Sequence, residues 1–325
     1  MSTQSLTNIR RQGQKTFKAS GLFTVPVNVH AVEVLLVGGG GGGAAAQFQT
    51  NSSAGGGGAG GQWLLSTVAV TPGTQIPVIV GAGGRGGTWS SANSGWGDVA
   101  VPGGDSMFAH VIALGGSGGR TSASDWQNLR HGTGGAYDST STANHTGAGG
   151  GSAGCQPIEA WQARTTNFAN SAINGGNAAF VATMLLEARG GFAPANPNGG
   201  AYGGTSSTNA ATWNSYSYPQ YKTAGGSGGF TGRGYSGGGG GGFSRGTSYA
   251  ATGTAMVGGF GSDGGGNGAT WNSSSGVYFP AVAGIPNTGG GGGGGADNWS
   301  ATNTTTRNGA AGGSGLVVVK WIEEF

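Results

Sequence analysis

Apolar runs dominate the two ends of this chain and give way to a different texture between them. From residue 16 to 114 the stretches "TFKASGLFTVP", "VHAVEVLLVGG", "QWLLSTVAV", "TPGTQIPVIVGAGG" and "VAVPGGDSMFAHVIALGG" are rich in Val, Ile and Phe and bounded by Pro and Gly. That pattern predicts β-strands, with Pro72-Gly73 at a hairpin turn. The far end, "SGLVVVKWIEEF", predicts one strong strand from Leu316 to Trp321. A lone strand needs a partner, and the N-terminal strands are the plentiful supply. Pairing them makes everything from 115 to 314 an insertion whose ends a small β-domain holds together. The expected organisation is 1–15 as an attachment segment or flexible N-terminus, 16–114 plus 315–325 as a β-framework, and 115–314 as a glycine-rich bundle carrying loops.

Inside the insertion, glycine blocks alternate with polar, aromatic segments: "GGSGG" before "RTSASDWQNLRH", "GGAYGG" before "TSSTNAATWNSYSYPQYKTA", and seven glycines before "ADNWSATNTTTRNG". One stretch, "AAFVATMLLEAR" at 178–189, reads as either a helix or a buried strand. Glycine supplies 78 of 325 residues and only 8% are charged, a composition of neither an ordinary enzyme nor a charged disordered tail. The 9 Trp, 8 Tyr and 12 Phe are costly to leave in water, so the chain folds. No strict Gly-X-Y period supports collagen. A glycine run offers only N–H and C=O groups, which must find partners if it is ordered. In the three-residue-per-turn polyproline-II-like helix those groups point outward, and without Cβ neighbouring helices approach closely enough to hydrogen-bond. The expected fold is therefore mostly β and irregular: a small β-sandwich-like framework closed by N- and C-terminal strands, with a large inserted bundle of polyglycine-II-type rods joined by polar aromatic loops. Flexible spacer is the alternative meaning of such glycine.

Charge and motifs mainly exclude. A net charge of +3 from 14 Lys and Arg, clustered only at Arg10-Arg11, is too little for a phosphate track, so no nucleic-acid partner is expected. With one cysteine, Cys155, no disulfide framework forms within the chain. No apolar leader or membrane-length run is present, which predicts a protein made in a cytoplasm and not inserted in a membrane. The G-x-S-x-G matches at 115–119, 150–154 and 225–229 lack the strand-then-helix context of a nucleophile elbow. "GGFGSD" at 258–263 begins like a calcium-binding nonapeptide but has no tandem copy. His30, His110, His131 and His145 show no ligand spacing, and Asp125, Asp138 and Glu159 read as solvated loop acids before they read as a hydrolytic pair. No cofactor, metal or catalytic activity is expected.

The positive signal is where the aromatics fall. Trp89, Trp96, Trp126, Trp161, Trp213, Trp271 and Trp299 all lie in the polar segments between glycine blocks, among Tyr, Ser, Asn and Thr. Rigid amphipathic rings with small polar neighbours are the composition of binding loops. The candidate receptor-binding residues are Trp213, Tyr216, Tyr218, Tyr221, Trp271, Trp299, Trp126 and Tyr137. About half of such rings are expected to cap rod ends instead.

"FTVP" at 23–26, "VEVLLVGGGGGG" at 32–43, "PGT" at 72–74, "VIVGAGG" at 78–84, "DSMF" at 105–108 and the terminal "GLVVVKW" together resemble the glycine-rich domain of phage tail-fibre proteins. The insertion resembles the polyglycine-sandwich tips of T-even-like phage adhesins. That resemblance implies a receptor-binding protein at the distal end of a virion's tail fibre, a trimer or a monomer on a trimeric shaft. Its implied partners are a bacterial outer-membrane protein or surface glycan and other tail-fibre proteins. A structural fibre or decoration component with no host receptor, a polyglycine ice-binding protein and a glycan depolymerase are the competing readings.

Overall fold

The computed structural model describes residues 10–46, 55–89, 100–119, 144–146, 192–194, 201–203, 234–245, 258–272, 277–296 and 307–324. The described residues form strands and irregular segments without helices. Two antiparallel four-stranded sheets face each other. One has the order β1 (Arg10–Phe17), β14 (Leu316–Glu324), β3 (Ala31–Val37), β4 (Trp63–Ala69); the other has β2 (Gly21–Thr24), β5 (Gln75–Ile79), β6 (Ser106–Phe108), β7 (Val111–Ala113). The C-terminal strand thus lies inside its sheet, Val317 opposite Phe17 on one side and Leu36 on the other.

Alternation makes the core. Val32, Val34 and Leu36 of β3 and Val317 and Val319 of β14 point inward onto Phe17, Phe23, Val78 and Phe108. Phe23 is the hub, 5.8 Å from the Phe108 ring and 5.4 Å from that of Trp321. Strand β1 begins at Arg10, within the segment expected as an attachment tail. Its residues alternate little because it is an exposed edge, where charged side chains are usual.

At Val37 the period of two stops. The chain runs on from β3 into glycine, and its backbone groups begin to find partners with a period of three. We number the resulting rods I (38–46), II (55–62), III (81–87), IV (100–105), V (114–119), VI (236–242), VII (258–262), VIII (264–269), IX (281–285), X (289–296) and XI (307–315). In rod I the amides of Gly38, Gly41 and Ala44 donate to rod II, those of Gly39 and Gly42 to rod IV, and those of Gly40, Gly43 and Ala46 to rod XI. Its carbonyls repeat the pattern: Gly39 and Gly42 accept from rod V, Gly40 and Gly43 from rod III, Gly41 and Ala44 from rod X. Every third residue faces the same neighbour, as a three-residue-per-turn helix requires.

Rod I is therefore surrounded by six rods, and these are bonded to one another in a closed ring, II to V to IV to III to XI to X. Rod X is a second centre. It donates to rods VI, I and IX, accepts from II, VIII and XI, and those six also close a ring. The described bundle is thus a hexagonal lattice in three rows: V–II–VI–VII, IV–I–X–VIII and III–XI–IX. Both central rods are buried along their whole length. Rods I to IV fall within 16–114, so the bundle draws on the framework's own connections as well as on 115–314.

Sheet and lattice are one structure. β3, β5 and β7 run out into rods I, III and V, while rods II, IV and XI run back into β4, β6 and β14. Buried Ser106 fastens the junction: its Oγ donates to the Val37 carbonyl at 2.6 Å and accepts from the Gly81 amide at 2.9 Å. Gln62 Oε1 accepts from Leu114 N at 3.0 Å and Asp105 Oδ1 from Gly115 N at 2.8 Å.

Candidate functional site

The lattice has two unlike ends. At the sandwich end the rods continue into strands or reverse in tight turns. One turn is Asp263-Gly264, where both residues take positive φ (42° and 89°) as a type I′ turn demands. Another occupies residues 286–289, with Asn287 and Gly289 also at positive φ. At the far end the connections are longer: 47–54, 90–99, 120–143, 246–257 and 297–306, with the short 273–276 beside them, all leave and re-enter the described structure there.

Parallel running fixes which end is which. Rods III, V and X donate to rod I with both numbers rising together, and VI and VIII run parallel to X in the same way. All five therefore run away from the sandwich. Rod VI continues into β11 (Phe243–Arg245) and rod VIII into β12 (Thr270–Asn272). With β8 (Asn144–Thr146) and β13 (Val277–Phe279) these form a small far-end sheet, order β13-β12-β11-β8, in which β11 and β12 are parallel and the other pairs antiparallel. Thr270 Oγ1 caps it by accepting from the Gly258 amide at 2.8 Å.

Two described features carry chemistry at this end. Arg307, only 2% exposed, places its guanidinium carbon 4.2 Å from the centre of the half-buried Trp89 ring, while Asn308 Oδ1 accepts from Trp89 N at 2.8 Å. The Arg307 carbonyl also receives the Ala46 amide. This cation–π staple ties the ends of rods I, III and XI. On β13, Tyr278 and Phe279 are 50% and 57% exposed, large rings in water next to the long connections. The sequence reading named neither; the signal was the apolar cluster "VYFP" at 277–280.

The sequence-derived candidates distribute as follows. Trp126 and Tyr137 lie in 120–143 and Trp299 in 297–306, outside the described residues but bracketed on both sides by far-end elements. Trp271 stands in β12, opposite Tyr278 in register. Trp213, Tyr216, Tyr218 and Tyr221 also lie outside the described residues, in 204–233; that segment starts after β10 (Ala201–Gly203), which pairs with β9 (Phe192–Pro194), and re-enters at Gly234. Gly234 is at the sandwich end, beside Tyr235, whose ring meets that of Trp63 edge-on at 6.0 Å. The stretch 178–189 lies outside the described residues too. Residues 115–119 lie in rod V, with Ser117 buried and its carbonyl accepting from Ala59 N, and 258–263 is rod VII with the start of its turn.

A concavity of about 380 Å³ opens on the outer face of the β1-β14-β3-β4 sheet among Gln14, Glu33, Leu35, Trp63, Tyr235 and Lys320. Among the described residues no group of three or more His, Cys, Asp or Glu is placed to hold a metal ion, and no helix is long and apolar enough to cross a membrane.

No curated protein shows significant similarity to the chain. Residues 16–170 match the family model described as a glycine-rich domain.

Proposed function

We propose that this protein is a receptor-binding tip of a phage tail fibre, an adhesin without catalytic activity that engages an outer-membrane protein or surface glycan of a bacterial host. The observation that carries the reading is the asymmetry of the lattice. A stiff, hydrogen-bonded block gathers five longer connections, each holding an aromatic residue among Asn, Ser and Thr, at the end opposite its β-sandwich. Rigid presentation lowers the ordering cost of binding, as in other loop-based recognition surfaces. The sandwich end, built from strands and tight turns, is the end suited to attachment on other fibre proteins. The resemblance of the strand framework to tail-fibre glycine-rich domains points the same way.

The test is adsorption. Purified, fluorescently labelled protein is expected to bind a subset of Gram-negative strains saturably, and to block infection of those strains by a phage whose fibre carries this chain. Saturable binding to no strain in a broad panel would overturn the reading and leave a structural fibre or decoration role. Loss of surface polysaccharide on incubation would replace it by the depolymerase.

A further inference from the structure

Rods III, XI and IX form an outer row of the lattice, and each carries exposed side chains, as the central rods do not. In rod III every third residue carries a side chain, Ala82, Arg85 and then Thr88, all three exposed, while the remaining positions from 81 to 87 are glycine. Rod XI is less regular: Arg307, Asn308, Ala310, Ala311 and Ser314 carry side chains, and of these Ala311 alone is exposed, Asn308 and Ser314 being half-buried and accepting from Trp89 N and Asn287 N. Along β13 and rod IX, Phe279, Val282 and Ile285 are 57%, 50% and 57% exposed, and Ala283 beside them is exposed as well. Residues three apart project from one side of a threefold helix, so Ala82 with Arg85, and Val282 with Ile285, form ridges of Cβ atoms on the solvent face, and Ala311 stands exposed on rod XI between them. Rods I and X, enclosed on six sides, are pure glycine over 38–43 and 289–295.

The lattice itself shows what a Cβ does to an approaching rod. Built onto Gly84 it would overlap the Val101 carbonyl; on Gly312, that of Gly40; on Gly313, that of Ile285; on Gly284, that of Gly290. A bare outer row would be the rod equivalent of an unprotected edge strand, presenting backbone at the spacing another row needs. Two copies related by a twofold axis would then match face to face. We propose that the exposed side chains on rods III, XI and IX close this edge, and that their function is to stop a second copy of the chain from adding its own outer row. This inference is independent of the receptor-binding reading.

The test removes the ridges in the full chain. A variant with Ala82→Gly, Arg85→Gly, Val282→Gly, Ala283→Gly, Ile285→Gly and Ala311→Gly is compared with the parent by sedimentation equilibrium over a hundredfold concentration range. The parent is expected to keep one molar mass, whatever its assembly, and the variant to reach at least twice that mass as concentration rises. A folded variant that keeps the parent's mass throughout overturns the proposal. If six substitutions prevent folding, the triple Ala82→Gly, Arg85→Gly, Ala311→Gly, which removes every exposed side chain from the adjoining rods III and XI, is read the same way. The control Val282→Ser, Ile285→Ser keeps both Cβ atoms while removing apolar surface, and is expected to leave the mass unchanged. If the control associates as strongly as the glycine variants, or lowers the parent's mass, the ridge acts through its apolar character and the closed-edge proposal fails.

Discussion

Gly292 donates to Gly41, accepts from Gly58, and has the backbone of Ala310 and Ala311 where a Cβ would stand. No side chain nearby can move aside, since the obstacles are carbonyls that are themselves hydrogen-bonded. Gly292→Val is therefore expected to cost about 3 kcal/mol or more, at the upper end of overpacking penalties. Ala311→Val, at the exposed position of rod XI, is expected to stay within about 0.5 kcal/mol of the parent. Thermal or denaturant unfolding of the two variants checks both, and equal melting of Gly292→Val and parent would return the run to flexible spacer. At this scale the sequence was legible in kind: an unbroken glycine run implied close rods. What it withheld was the finer distinction, that a rod enclosed on six sides is glycine up to its far-end alanines, the buried Ala44 to Ala46 and Ala296, whereas the rods of the outer row carry exposed side chains. Rod III, with Ala82, Arg85 and Thr88, reads as an irregular loop until its neighbours are known.

Among elements, β14 bears the most. It lies between β1 and β3, supplies Val317 and Val319 to the core and Trp321 to the packing against Phe23, and holds rod XI, which borders both central rods. Deleting residues 315–325 is expected to abolish cooperative unfolding, because it splits one sheet and frees a rod shared by both hexagons. A truncated protein with the parent's melting transition would show that the sandwich closes without it. This strand and its N-terminal partnership were legible because "LVVVKW" has no other use in so polar a neighbourhood. β1 was not, because an edge strand of "RRQGQK" shows no apolar period. Its Gly13 sits opposite Trp321, whose ring fills the space a Cβ would take, a pairing no local pattern reveals. The strands β8, β11, β12 and β13 have three residues each and are set by what the rods place side by side.

For the whole molecule, the direction of each rod turns a list of aromatic segments into a map. The alternation of blocks and loops made the binding segments recognisable, but successive rods reverse, and sequence alone does not say which segments emerge together. The hydrogen-bond registers do, for the described residues: the segments holding Trp126, Tyr137 and Trp299 are bracketed by far-end elements, and Trp271 stands in the far-end sheet. The segment holding Trp213, Tyr216, Tyr218 and Tyr221 re-enters at the sandwich end. If the far end is the recognition surface, replacing Trp126, Tyr137, Trp271 and Trp299 singly by Ala is expected to include at least one loss of about thirtyfold in host-cell affinity, the roughly 2 kcal/mol of a true hot spot, at unchanged melting temperature. The same substitutions at Trp213, Tyr216, Tyr218 and Tyr221 separate two geometries. Losses confined to the first four place contact at the far end alone, and losses in both groups require 204–233 to reach the same receptor. Eight folded variants that all bind as the parent does would move the contact off these rings, with Tyr278 and Phe279, exposed on β13 at the same end, the next to be replaced.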